Sequence, residues 1–377
     1  MLNMTILLNY WYISTIVIFL NFNCFISFWS SSPIISQDFD NSQGYYKIML
    51  TTGVTSSHLQ VNLLRNFTLL SYYPEKDHCG VSTFINVFDL DSSQYTVKQC
   101  KGVANFTKRT HQVNGYSLFV LGDPYPPQAR FFFGLGSYYS DESFSFLHRL
   151  KSEKQINQLI FGFVPHVESN RKNGSVYYGG VPYTVRENKT SYTCKVTTRD
   201  SSWGCPIDKV YVNNIEYKNR NYAYLNANRR EVLVPQSFYG FIKEKILLLY
   251  IDDKICTEEL YNENYYFRCR ESVKNTIKEI RFDFGEFSLR MTNYFLCGGG
   301  SCDFLLQYNP YTNNTWVIGA AFISEYDVFF NYEDRSISFY FENDYNKVIL
   351  IKEICVFIIV VGFIMLIVLF YFKKPFL

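Results

Sequence analysis

Residues 316–339 read WVIGAAFISEYDVFFNYEDRSISF, an apolar tetrapeptide closed by glycine, a small-residue step, and two aromatic or β-branched runs parted by a polar turn. The same texture extends outward along the chain. Short runs such as YYKIML (45–50), HLQVNLL (58–64), RFFFGLG (130–136), SVYYGGV (175–181), KVYVNNIEY (209–217) and SISFYF (336–341) are separated by Gly, Asn, Pro and Ser clusters. Alternating apolar residues between turn signals predict strands, so the chain is expected to be mainly β. Two stretches predict helices: residues 142–157, which are amphipathic, and residues 236–249, which follow Pro235 at a position suited to a helix start. No low-complexity linker interrupts the chain between its apolar ends, so any two lobes are expected to pack together.

Composition narrows the function. The 377 residues carry 36 basic and 34 acidic side chains, a net charge of +2, with 19% charged residues. A nucleic-acid partner would require a basic surface that this balance does not supply. With 47% hydrophobic residues, including 35 Phe and 32 Tyr, the chain has ample material for a large core.

The ends predict a compartment. Residues 1–34 hold an uncharged, mostly apolar run ending in small residues, expected to be a secretory signal peptide, with a signal anchor as the alternative because no basic segment precedes it. Residues 354–372 (ICVFIIVVGFIMLIVLFYF) are long and apolar enough for a membrane-spanning helix. Lys373 and Lys374 follow, so residues 373–377 are expected to form a cytoplasmic tail and the preceding chain a lumenal or extracellular ectodomain. The membrane is thus one expected partner. Outside the two apolar ends stand Cys79, Cys100, Cys194, Cys205, Cys256, Cys269, Cys297 and Cys302. An even count in such a compartment predicts about four disulfides; pairing of sequence neighbours is the simplest of the many arrangements. Asn66, Asn105, Asn173, Asn188 and Asn313 open glycosylation sequons. No His lies at ligand spacing from another ligand, so neither a metal nor another cofactor is expected.

With these segments in view, the order of motifs resembles the pepsin-like aspartic peptidases. Residues 316–339 are similar to the family's C-terminal strand, short helix and hairpin, and residues 280–294 to the strand–turn–strand before its last cysteine pair. Residues 201–217 resemble the tryptophan-containing strand that opens the second lobe. Residues 150–183 resemble the end of the first lobe, and residues 87–100 its serine-containing hairpin. The resemblance implies a bilobal fold, residues 44–185 forming one lobe and 186–345 the other, with a cleft between them suited to an extended peptide.

The family's chemistry is not implied. Its members use two aspartates, each in an Asp-Thr/Ser-Gly motif on a tight loop, sharing one proton because two close carboxylates cannot both ionise. At the first position this sequence is aligned to Leu64, followed by Arg65 and Asn66, and at the second to Asn226, followed by Ala227 and Asn228. Neither an aliphatic side chain nor a carboxamide serves as a general base. The hydroxyls that lock the family's dyad are missing, and Ala320 replaces the Asp after the glycine of the C-terminal block. No counterpart to the flap tyrosine can be placed. Arg65, Arg229 and Arg230 on or beside these loops imply a basic cleft floor favouring acidic ligands, unless they pair with local acids such as Glu231. The expected function is a catalytically inactive, membrane-anchored binding or adhesion glycoprotein. The alternatives are an active endopeptidase using another carboxylate (Asp89, Asp91, Asp141 or Asp283) and a structural glycoprotein without a cleft ligand.

Overall fold

The computed structural model describes residues 34–342 except 43–44, 53–54, 64–68, 71–78, 82–96, 107–110, 122–131, 137–144, 168–172, 197–201 and 312–314. The expected signal segment and the expected membrane span at 354–372 with its tail lie outside the described residues. No described helix is long and apolar enough to cross a membrane.

The described residues form three sheets of thirteen, seven and four strands. Part of the largest joins distant stretches of chain. Its order runs Lys189–Lys195, Ser336–Glu342, Asp327–Asn331, Ile160–Pro165, Asn173–Tyr178, Ile35–Asp40, all antiparallel. The fold thus begins before residue 44, the expected start of the first lobe: Ile35–Asp40 is a strand whose Ile35 and Phe39 point inward in alternation. Beneath this sheet Phe161 stacks on Phe330 at 4.6 Å, and Trp203 lies edge-on to Tyr332 at 4.9 Å. Full burial of such a ring contributes about 1.5–3 kcal/mol. The Trp203 Nε1–H donates to the Leu135 carbonyl at 2.7 Å, satisfying the indole's one polar atom and tying the second half of the chain to the first.

Two crossed-strand units lie under the cleft. In the second, Ile215–Asn226 runs parallel to Trp316–Gly319, and the other edge of Trp316–Gly319 pairs antiparallel with Val232–Leu233. In the first, Thr55–Asn62 runs parallel to Phe132–Gly134, which pairs antiparallel with Leu69–Leu70. In each unit a middle strand is inserted between two strands joined by a loop. Trp316, fully buried against Phe238 at 4.7 Å and Phe282 at 5.6 Å, anchors the second.

The four-stranded sheet takes two of its strands from residues 252–271, outside the segments that resemble the family. Its order is Cys256–Tyr261, Asn264–Arg270, Ser301–Phe304, Phe295–Gly298. The first hairpin closes on Asn262 and Glu263 at φ 48° and 64°, the two left-handed residues of a tight hairpin turn. Cys256, Cys269, Cys302 and Cys297 fall in one rung across all four strands, bridged as Cys256–Cys269 and Cys297–Cys302. A third disulfide joins Cys194 and Cys205. Cys79 and Cys100 stand opposite one another in their strand register. The expected neighbour pairing is observed for these three bonds, as suits a secreted or lumenal domain.

Both expected helices form in shorter pieces. Phe146–Ser152 is capped by the Ser145 hydroxyl, which accepts from the His148 N–H, and Gln236–Phe241 starts at Pro235, continues through a π turn at Ile242–Ile246 and ends in Leu248–Asp252.

Candidate functional site

A groove of about 830 Å³ opens between the crossed-strand floor and the four-stranded sheet, which forms one wall. The wall follows from strand alternation. Successive side chains face opposite ways, so Phe267 and Phe304 are buried in the core while Arg268, Asp303 and Leu296 on the other face line the groove.

On the floor, Asn226 ends its strand opposite Gly319 and is 7% exposed. Its Oδ1 accepts from the Asn228 N–H at 3.1 Å. The loop then folds against the end of the middle strand: Ala320 N–H donates to the Arg229 carbonyl at 2.7 Å and Ala321 N–H to the Arg230 carbonyl at 3.1 Å. Gly319 is required by this approach, since a Cβ there would lie 2.1 Å from the Glu231 carbonyl oxygen. The loop is also bonded to the first half of the chain. Tyr46 N–H donates to the Ala227 carbonyl at 2.8 Å, and the Tyr46 carbonyl accepts from Val61 N–H at 2.8 Å. Where Ala227 has no hydroxyl, the backbone supplies a cross-link between the halves.

Register corrects one expected position. In the second unit Asn226 faces Gly319, and Leu233, seven residues on, faces Val317. In the first unit Asn62 faces Gly134, and Leu69, seven residues on, faces Phe132. The position equivalent to Asn226 is therefore Asn62, two residues before Leu64. The apolar run HLQVNLL predicts a strand continuing beyond Asn62, whereas pairing ends at Asn62. Leu63 is fully buried. Leu64, Arg65 and Asn66 lie outside the described residues.

Charges along the groove are compensated. Arg229 pairs with Glu231 at 3.7 Å. Arg268 makes a two-pronged contact with Asp303, Nε to Oδ1 at 2.7 Å and Nη2 to Oδ2 at 3.2 Å, and reaches Glu259 at 2.9 Å. Its Nη2 also donates to the Tyr266 hydroxyl, which donates to Glu259. The Asp303 carboxylate holds the Arg268 guanidinium above its ordinary pKa, and burial pushes the Tyr266 phenol up. Arg230 lines the groove without an ion pair among the described residues. Three guanidinium groups (Arg229, Arg230, Arg268) thus stand against three carboxylates (Glu231, Glu259, Asp303). The expected basic floor is offset by acids, two of which come from the wall that the sequence could not align.

Other expected positions lie elsewhere. Asp283 accepts from Gly285 N–H at 3.1 Å within its own turn; Asp89, Asp91 and Asp141 lie outside the described residues, as do Asn66 and Asn313. Asn173 is exposed at the start of a strand, Asn105 lies within Val97–Phe106 and Asn188 ends the helix Tyr183–Asn188. Among the described residues no group of three or more His, Cys, Asp or Glu is placed to hold a metal. Sequence reading missed Tyr45, Gln60, Asn62 and the wall residues Tyr261 to Arg268. The hairpin pattern on either side of Asn262 was a usable signal for the wall; for Tyr45 and Gln60 only the cross-chain pairing reveals their place.

Comparison with known proteins agrees with this architecture. The family model described as eukaryotic aspartyl protease matches residues 132–340, more than half of the chain. Among solved structures, an aspartic proteinase from Irpex lacteus aligns with a TM-score of 0.61 at 11% sequence identity, covering 82% of this chain and 98% of that one. No curated protein matches.

Proposed function

The chain belongs to the eukaryotic aspartyl protease family, and from that premise we propose that it is a member without hydrolytic chemistry, using the family's cleft to bind rather than to cut. The observation that carries this reading is the residue beside each middle-strand glycine: asparagine at 226 opposite Gly319, and asparagine at 62 opposite Gly134. A carboxamide donates and accepts hydrogen bonds but does not exchange a proton with water near neutral or acidic pH. General acid and base roles typically contribute factors of about 10² to 10⁴ each, and neither position can supply one. The carboxylates bordering the groove, Glu231 and Asp303, are engaged by Arg229 and Arg268.

Binding is favoured over a purely structural role because the groove remains open at about 830 Å³, within the range of ligand sites. In this reading residues 354–372 anchor the protein in a membrane, the sequons carry glycans, and the cleft is presented on a cell surface or in a lumen. The test is an assay of the purified full-length protein on a mixed peptide library across acidic and neutral pH, with and without a transition-state-mimicking inhibitor. The expected result is no inhibitor-sensitive cleavage; cleavage that the inhibitor blocks overturns the proposal.

A further inference from the structure

Resting on the non-catalytic binding reading, we propose that the groove takes a neutral oligosaccharide. Its lining departs from what an extended peptide needs. Peptide side chains seek apolar recesses, and sites for small ligands are mostly apolar with a few placed polar groups. Here the described lining is dominated by carboxamides and tyrosines, with Leu296 and Leu305 its only aliphatic members.

Three of the seven lining carboxamides, Asn226, Asn264 and Asn309, bond within the protein, and four are left over for a ligand. The side chains of Gln60, Asn228, Asn262 and Gln307 all line the groove, and none forms a hydrogen bond among the described residues. The Gln60 Oε1 is enclosed and has no partner among the described residues. Each carboxamide offers two donors and an acceptor, and a row of them matches a ligand dense in groups that both give and take hydrogen bonds. Sugar hydroxyls have that character at nearly every carbon, whereas a peptide backbone offers one donor and one acceptor per residue. Tyr261, 68% exposed at the hairpin tip beside Asn262, presents a ring with one apolar face and one polar end, suited to the C–H face of a sugar ring. Charge argues for neutrality, since three guanidinium groups and three carboxylates balance in number and an ionic ligand would compete with the pairs already made at Arg229 and Arg268.

The test uses the full-length protein in a sugar-free detergent. Calorimetric titration and saturation-transfer resonance would be run with maltotetraose, cellotetraose, mannotetraose and chitotetraose, with a sulfated heparin tetrasaccharide and with acidic and neutral octapeptides. The expected result is saturable binding of at least one neutral tetrasaccharide with Kd between about 10⁻⁵ and 10⁻³ M, little changed by salt. Gln60→Ala and Tyr261→Ala should each weaken it about tenfold, and Leu249→Ala, exposed and outside the groove, should not. Failure of every neutral tetrasaccharide to bind, binding by the sulfated one alone, or binding indifferent to both groove substitutions would overturn the inference. Saturable peptide binding without sugar binding overturns it while leaving the proposed function standing; inhibitor-sensitive peptide cleavage overturns both.

Discussion

The floor loop after Asn226 and the wall beside it are held by different means. The floor is positioned by main-chain atoms: Ala320 and Ala321 amides on the Arg229 and Arg230 carbonyls, the Tyr46 amide on the Ala227 carbonyl, and a glycine where the strands touch. The wall has a backbone ladder too, but side chains clamp it further, with two disulfides in one rung and Arg268 bridging Asp303 and Glu259. Geometry fixed by backbone tolerates exchange of the side chains it displays, so a floor can keep its shape after its carboxylates have become carboxamides. Fold and chemistry are separable for that reason. The clamping side chains of the wall have less such freedom.

The contrast can be broken most severely at Gly319. Gly319→Ala would drive a methyl group into the Glu231 carbonyl, 2.1 Å away, where main chain rather than a flexible side chain must yield. The expected loss is about 3 kcal/mol or more, measured by denaturant unfolding, because overpacking against backbone cannot be relieved by a rotamer change. A wild-type midpoint would show that the floor is not held as described. On the wall, replacing both Cys256 and Cys269 by Ser should cost about 2–4 kcal/mol through the unfolded chain's regained freedom. The floor should keep its shape, with the fluorescence of buried Trp203 and Trp316 native-like in the absence of denaturant.

The joint change Asn62→Asp with Asn226→Asp sharpens the comparison. Folding should be nearly unaffected, within about 1 kcal/mol, because an Asp at 226 still offers an oxygen to the Asn228 N–H. No turnover is expected in the same assay: Leu63 and Ala227 lack the hydroxyls that lock the family's dyad, and Leu64 and Asn228 replace the turn glycines. Robust inhibitor-sensitive cleavage by this variant would show that two carboxylates alone suffice. A comparably small effect is expected from Arg268→Ala. The side chain is 41% exposed, so its pairs are screened and their loss should cost only about 0.5–1 kcal/mol, shrinking with added salt. An effect independent of salt would mean that Arg268 acts by packing and not by charge.

Much of the architecture was legible in the sequence because it is written in short-range pattern. Alternation marked the strands, Pro235 marked a helix start, and neighbouring cysteines marked Cys194–Cys205, Cys256–Cys269 and Cys297–Cys302. Asn226 was found because the distance to Pro235 is intact along one unbroken segment. Its partner reads from sequence as Leu64 because the apolar pair 63–64 conceals the end of a strand, and pairing with Gly134 places it at Asn62. The compensation of the cleft arginines was legible only at Arg229, where Glu231 stands two residues away. Asp303, by contrast, reaches Arg268 from the neighbouring strand across 35 residues of sequence, a contact no local pattern encodes.

The central claim is that no group in this cleft moves a proton for peptide hydrolysis. It is tested most directly by incubating the full-length protein with peptides in heavy-oxygen water and following label entry into newly formed carboxyl termini by mass spectrometry. The account predicts incorporation at the rate of the protein-free control. Incorporation above that control, abolished by Asn226→Ala, would contradict it.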